Sequence, residues 1–141
     1  MGTGISMAAM NAGFDVIMIE QNQEAIKKAF DKINSTYDRN VNLGRMTTDQ
    51  KSQIINLFKS DTDMNVLNDR DLIIEAVFEN MDVKKEVFIK LNKICNQECI
   101  LASNTSYLDV NEIAKVVDNP DRVIGLHFFS PANIMKLLEI V

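Results

Sequence analysis

Short apolar runs alternate with helix-period patterns along this whole chain, and that alternation restricts the fold more than any other feature. Residues 14–19 (FDVIMI), 71–77 (DLIIEAV), 99–103 (CILAS) and 122–128 (RVIGLHF) read as strands. A further short strand falls near residues 59–62, and residues 137–141 look like the start of one more. Between the first two runs, Ile26, Ala29, Phe30, Ile33 and Tyr37 share one face of a helix that Gly44 ends. Thr47 and Gln50 make a capping box, opening a helix that carries Ile54, Leu57 and Phe58 inward. A long helix from Met81 buries Val83, Val87, Phe88, Leu91 and Ile94. Asp109 and Glu112 cap a helix holding Val110, Ile113, Ala114 and Val117, and Pro120 closes it. Strands separated by helices of this length make βαβ units: an α/β chain with a doubly wound, mainly parallel sheet and helices on both faces.

Composition narrows the function more than the fold. A length of 141 residues suits one domain with a real core. The net charge of -5 speaks against nucleic acid, whose phosphates call for a basic face, although a few local amides or lysines can still hold a small anion. No apolar run approaches the roughly 20 residues that cross a bilayer, so no membrane partner is expected. Nor does the start of the chain read as a secretory leader. Cys95 and Cys99 are spaced C-x-x-x-C beside a single histidine, which argues against a metal site and for reduced thiols inside a cell. The eight methionines read as core filler.

The first ten residues, MGTGISMAAM, are rich in small side chains. Such a helix can pack tightly on a sheet and beside a pyrophosphate. Glu20 ends the strand that follows, where a dinucleotide fold places an acid against the adenosine ribose hydroxyls. An acid there repels a 2′-phosphate, which selects NAD over NADP. Glycine-rich starts are common, and a small-residue helix packed on a neighbour accounts for the same pattern.

Three further segments make the pattern specific: EAVFENMDVKKEVF, LASNTSYL and GLHFFSPANIMKLLEIV. With GTGIS and its downstream acid, they resemble the NAD-binding domain of the 3-hydroxyacyl-CoA dehydrogenase family, especially its 3-hydroxybutyryl-CoA members. The resemblance runs from residue 1 to residue 141. It implies a Rossmann-like fold and NAD as cofactor. Gly2 resembles the last glycine of the fingerprint and Gly4 the glycine after it, while Glu20 takes the place of the usual ribose-binding aspartate. Glu79 and Lys84 match positions that line the cofactor and the CoA substrate. Ser106 resembles the serine that hydrogen-bonds the reacting oxygen, so it faces cofactor and substrate alike. His127 resembles the catalytic histidine and Glu139 the acid paired with it.

The chemistry agrees with these roles. Oxidising a secondary alcohol needs a group that removes the hydroxyl proton as hydride leaves, and a histidine with a free pKa of about 6.5 works in either direction near neutrality. A carboxylate on its far nitrogen sets the tautomer and stabilises the imidazolium. A serine hydroxyl stabilises the oxyanion during ketone reduction. His127 and Ser106 both lie at or just past the carboxyl end of an expected strand, where open α/β sheets bind their ligands. Asn104 and Thr105 fit turn-shaping and ligand contact equally well.

The chain departs from the family at several positions. Ser130 stands where HFFNP has a cofactor-facing asparagine, and Asn133-Ile134 replaces a second proline. The first strand and first two fingerprint glycines are expected to be missing, which leaves two strand edges unpaired. A C-terminal helical domain for substrate and dimerisation is expected to be missing too. Residues 1–141 are thus expected to form an incomplete NAD-binding domain that alone binds NAD poorly and turns over little. The full-length protein is expected to be a homodimeric NAD-dependent enzyme interconverting 3-hydroxyacyl-CoA and 3-oxoacyl-CoA. Its expected place is the cytoplasm, or the mitochondrial matrix if a leader was lost. Two alternatives stand beside it: a non-catalytic NAD(H)-binding or structural protein, and a hydroxy-acid dehydrogenase that does not use CoA.

Overall fold

The small-residue start winds into α1 (Gly2–Asn11), and Gly13, at φ +87°, turns the chain into β1 (Val16–Ile19). The computed structural model describes residues 1–141 and resolves them into two units. The first comprises Met1–Asp63 and Ser130–Met135, the second Met64–Phe129 and Lys136–Val141.

In the first unit, β1 is followed by α2 (Gln23–Asn42), α3 (Thr48–Ile55) and β2 (Phe58–Asp61). Asn22 caps α2 by accepting the Ala25 N–H at 2.9 Å. Gly44 follows its C-terminus at φ +69°, a left-handed turn that glycine makes without strain. The inward stripe is Ala29, Ile33 and Tyr37, as the period requires; Phe30 lies at its border, 39% exposed. Both bonds of the Thr47–Gln50 capping box form.

One expectation fails in α3, which ends at Ile55, so Leu57 and Phe58 do not lie on it. The Leu57 carbonyl accepts the Val16 N–H at 2.8 Å, and Phe58 opens β2, which pairs parallel with β1 from Val16↔Phe58 to Ile19↔Asp61. A strand edge offers these backbone groups a ladder that one more helical turn would forgo. The core of this unit is Met7, Met10, Met18, Ala29, Ile33 and Tyr37, so three of the methionines are indeed filler.

The second unit contains β3 (Leu72–Glu75), α4 (Met81–Ile94), β4 (Ile100–Ser103), α5 (Val110–Ala114), β5 (Val123–Phe128) and β6 (Leu138–Ile140). Its strand order is β3-β4-β5-β6; the first two pairings are parallel and β5–β6 is antiparallel. Phe88, Leu91, Leu101, Ala102 and Ile113 are buried. Helix α5 stops at Ala114, and Val117 beyond it is still buried. In α4 the expected register is off by one residue at its start. Val83 is 39% exposed, and Lys84 turns inward at 1%. β1 has β2 as its one neighbour and β3 has β4, so each sheet keeps an open edge. No helix is long and apolar enough to cross a membrane.

Candidate active site

His127 lies on β5 directly opposite Glu139 on β6. Residues opposed in an antiparallel pair project to the same face of the sheet. The His127 Nδ1 and Glu139 Oε2 are 2.8 Å apart, and the Phe129 ring lies 4.7 Å from the imidazole centroid. A carboxylate only accepts, so it takes the Nδ1–H and leaves Nε2 with its lone pair. The imidazole is 22% exposed and the carboxylate 53%, so the pair is open to solvent.

The loop after β4 carries Ser106, and Glu79 holds that loop. Glu79 accepts the Thr105 hydroxyl at 2.6 Å and the Ser106 N–H at 2.8 Å. Burial works against ionisation of Glu79. The bonds from Thr105 and the Ser106 backbone, the Lys84 charge and the Ser106 hydroxyl outweigh it and hold the carboxyl below its ordinary value. Lys84, expected to line the ligands, has its ammonium inside the unit, 2.8 Å from Glu75 and 3.7 Å from Glu79. Glu75 also accepts the Ser103 hydroxyl at 2.7 Å. The structure thus joins Lys84 to the Ser106 loop through Glu79.

The first unit holds Gly2, Gly4, Glu20 and Ser130. A Cβ at Gly2 would meet nothing nearer than the Met18 methyl at 4.0 Å, so there is room beside it. A Cβ at Gly4 would lie 3.2 Å from the Ala132 nitrogen and 3.3 Å from its Cβ. Glycine at this position therefore serves the packing of α1 on residues 130–135. Glu20 directly follows β1, where its N–H donates to the Asp61 carbonyl at 3.1 Å. Ser130 is exposed.

A cavity of about 580 Å³ opens in the same unit, lined among others by Thr3, Lys32, Thr36, Arg39, Arg45 and Ser130. Lys32, Arg39 and Arg45 of this cationic wall were not among the residues singled out from the sequence. Lys32, Thr36 and Arg39 recur at i, i+4 and i+7 along α2, a polar stripe at helical spacing that could have drawn attention. Cys95 and Cys99 are both buried, and burial pushes both thiols up, that of Cys95 to about 11.

Comparison with known proteins finds one family model matching residues 1–141, described as 3-hydroxyacyl-CoA dehydrogenase, NAD binding domain. The chain is 40% identical over its whole length to a 3-hydroxybutyryl-CoA dehydrogenase of Clostridioides difficile, of which it covers 50%. It is also 40% identical to a peroxisomal fatty acid beta-oxidation multifunctional protein of Arabidopsis thaliana, of which it covers 20%. Among solved structures, a 3-hydroxybutyryl-CoA dehydrogenase from Escherichia coli K12 superposes with a TM-score of 0.97 at 36% identity, covering 99% of this chain and 30% of that one. The chain therefore spans half or less of these relatives.

Proposed function

Because the chain belongs to the 3-hydroxyacyl-CoA dehydrogenase family, as its NAD-binding domain, we propose that it serves an NAD-dependent oxidoreductase interconverting 3-hydroxyacyl-CoA and 3-oxoacyl-CoA. The observation that carries this reading is the His127–Glu139 pair, 2.8 Å apart on adjacent strands. In the oxidation direction, His127 Nε2 takes the substrate hydroxyl proton, and Glu139 stabilises the imidazolium. In the reverse direction the same nitrogen returns that proton. The Ser106 hydroxyl donates to the reacting oxygen as charge builds on it.

The residues present suit NAD. The open space beside Gly2 lies at the start of α1, whose first-turn amides no side chain caps. Glu20 follows β1, and its resemblance to the family's ribose-binding acid supports a role for it at the adenosine ribose hydroxyls. Gly4 keeps α1 close to residues 130–135, and Ser130 offers one hydroxyl on the nicotinamide side. When bound, NAD supplies the hydride acceptor. Glu79 faces the ligands, and Lys84 acts on them through Glu79.

An acyl-CoA is the proposed substrate, and the cationic cavity bounded by Lys32, Arg39 and Arg45 supports an anionic, phosphate-bearing one. We further propose that residues 1–141 work beside a separate helical substrate domain, in a homodimer. The test is acetoacetyl-CoA-dependent loss of NADH absorbance by the full-length gene product, with His127→Ala alongside. The variant should lose turnover by a factor on the order of 10² or more while still binding NADH. Normal turnover in the variant would refute the role of His127. Wild-type silence with NADH bound would favour a non-catalytic binding protein.

A further inference from the structure

Asn104 is the first residue past β4, and the strands on either side of β4 both depend on it. β4 ends at Ser103, which is paired with Gly125, but β5 runs on through Leu126, His127 and Phe128. On its other edge β5 meets β6, where Gly125 exchanges both backbone bonds with Val141, at 2.8 and 2.9 Å. Strand alternation then turns the Phe128 N–H the other way, toward β4, where no backbone partner remains. The Asn104 side-chain carbonyl accepts that N–H at 2.8 Å. The Asn104 N–H in turn donates to the Glu75 carbonyl, also at 2.8 Å, at the end of β3. One residue ties three strand ends together.

We propose that Asn104 is a positioning residue: its side chain adds one rung to the β4–β5 ladder and so locks the Ser106 loop onto the strand end that bears His127. Immediately past Asn104, the loop meets its second anchor, where Glu79 holds Thr105 and the Ser106 amide. Without the Asn104 rung, the loop would hang from Glu79 and the bond to Glu75 alone, free to shift against Phe128 and its neighbour His127. A carbonyl at this reach is needed. Alanine offers no acceptor, and serine is too short, whereas aspartate keeps an oxygen in the same place. The inference rests on the catalytic reading of His127 and Ser106.

The test compares wild type, Asn104→Ala, Asn104→Asp and Asn104→Ser in the full-length gene product. Kinetics with acetoacetyl-CoA, NADH affinity and the proton spectrum of the imidazole are measured for each. His127 is the single histidine among residues 1–141, and its ring signal is assigned by comparison with His127→Ala. In Asn104→Ala, kcat should fall on the order of 10²-fold with KM and NADH affinity nearly unchanged, as expected when reacting groups are misplaced. The His127 ring signal should move in the same variant. Asn104→Asp should recover most of the kcat and Asn104→Ser little of it.

An unchanged kcat in Asn104→Ala would overturn the proposal, as would a loss matched by falling NADH affinity, the sign of a merely structural role. Should Asn104→Ala fail to fold, equal kcat in the aspartate and serine variants would overturn it instead. If wild type turns over no acetoacetyl-CoA, the catalytic reading fails on its own. Asn104 is then judged by the ring signal, which must move in the alanine variant and return in the aspartate variant.

Discussion

Lys84 is the residue at which ordinary expectation and this fold diverge furthest. A lysine on a helix is usually solvated, yet this one is 1% exposed and lies 2.8 Å from the Glu75 carboxylate. Glu75 is further satisfied by the Ser103 hydroxyl and the Val77 N–H, each at 2.7 Å. The pair is buried and well bonded, so removing one charge costs far more than removing both. Lys84→Met should destabilise the protein by about 3–5 kcal/mol, because a carboxylate is left unpaired in the interior. Adding Glu75→Gln should restore much of that loss. Urea melts of the single and double variants check this, and equal losses in both would count against a coupled pair. The inward direction of Lys84 was in fact written in the spacing, since Lys84, Phe88 and Leu91 fall at i, i+4 and i+7. Only the charge argued against it, and the position of Glu75 in space answers that objection. His127, by contrast, was legible as a lone histidine ending an apolar run.

Among the elements, β5 and β6 carry the most consequence, since their pairing brings His127 opposite Glu139. Gly125 allows this approach. A Cβ there would lie 3.0 Å from the Val141 Cβ and 3.1 Å from a methyl of Val110. Gly125→Val should push the end of β6 outward and loosen the Glu139 carboxylate from the imidazole. Amide hydrogen exchange at Val141 should then quicken by on the order of tenfold, and turnover should fall with it. Unchanged protection at Val141 would show that the strands can absorb the side chain. Periodicity located every strand to within a few residues. It misjudged where α3 stops, because Leu57 and Phe58 continue the helical pattern while their backbone groups go to β1. Hydrogen-bond partners distant in sequence decide such boundaries.

Over the whole molecule, alkaline pH is the condition to which the fold should be most sensitive. Burial pushes Tyr37 in the first unit up to about 12 and Cys95 in the second up to about 11, and Cys99 is raised as well. The unfolded chain releases these protons at their ordinary values, so above pH of about 9 the folded state holds more protons than the unfolded one. Stability from these groups is fully present below their unfolded values. It declines as pH rises from about 9 toward the folded values. Urea midpoints taken at neutral pH and near pH 10.5 should therefore fall, by about 1 kcal/mol or more in unfolding free energy. A midpoint constant across that range would contradict the burial of these groups as a source of proton linkage. Under native conditions near neutrality, both thiols should also react slowly with a disulfide reagent, since each is buried and protonated.

Glu139 as the partner of His127 was read from the family resemblance. The α/β class, the order of strands and helices, the Gly44 end of α2, the capping box of α3 and His127 as the candidate acid–base residue were legible in the order of residues alone. These follow from local physics: side-chain period, capping geometry, and the few residue types able to move a proton near neutral pH. Folding in three dimensions was needed to bring Glu75 to Lys84, to set Gly4 against Ala132, and to bond Asn104 to the end of β5. It was needed, too, to bring Lys32, Arg39 and Arg45 to one cavity wall. Each of these depends on a partner brought near by folding, whose distance in space no local pattern encodes.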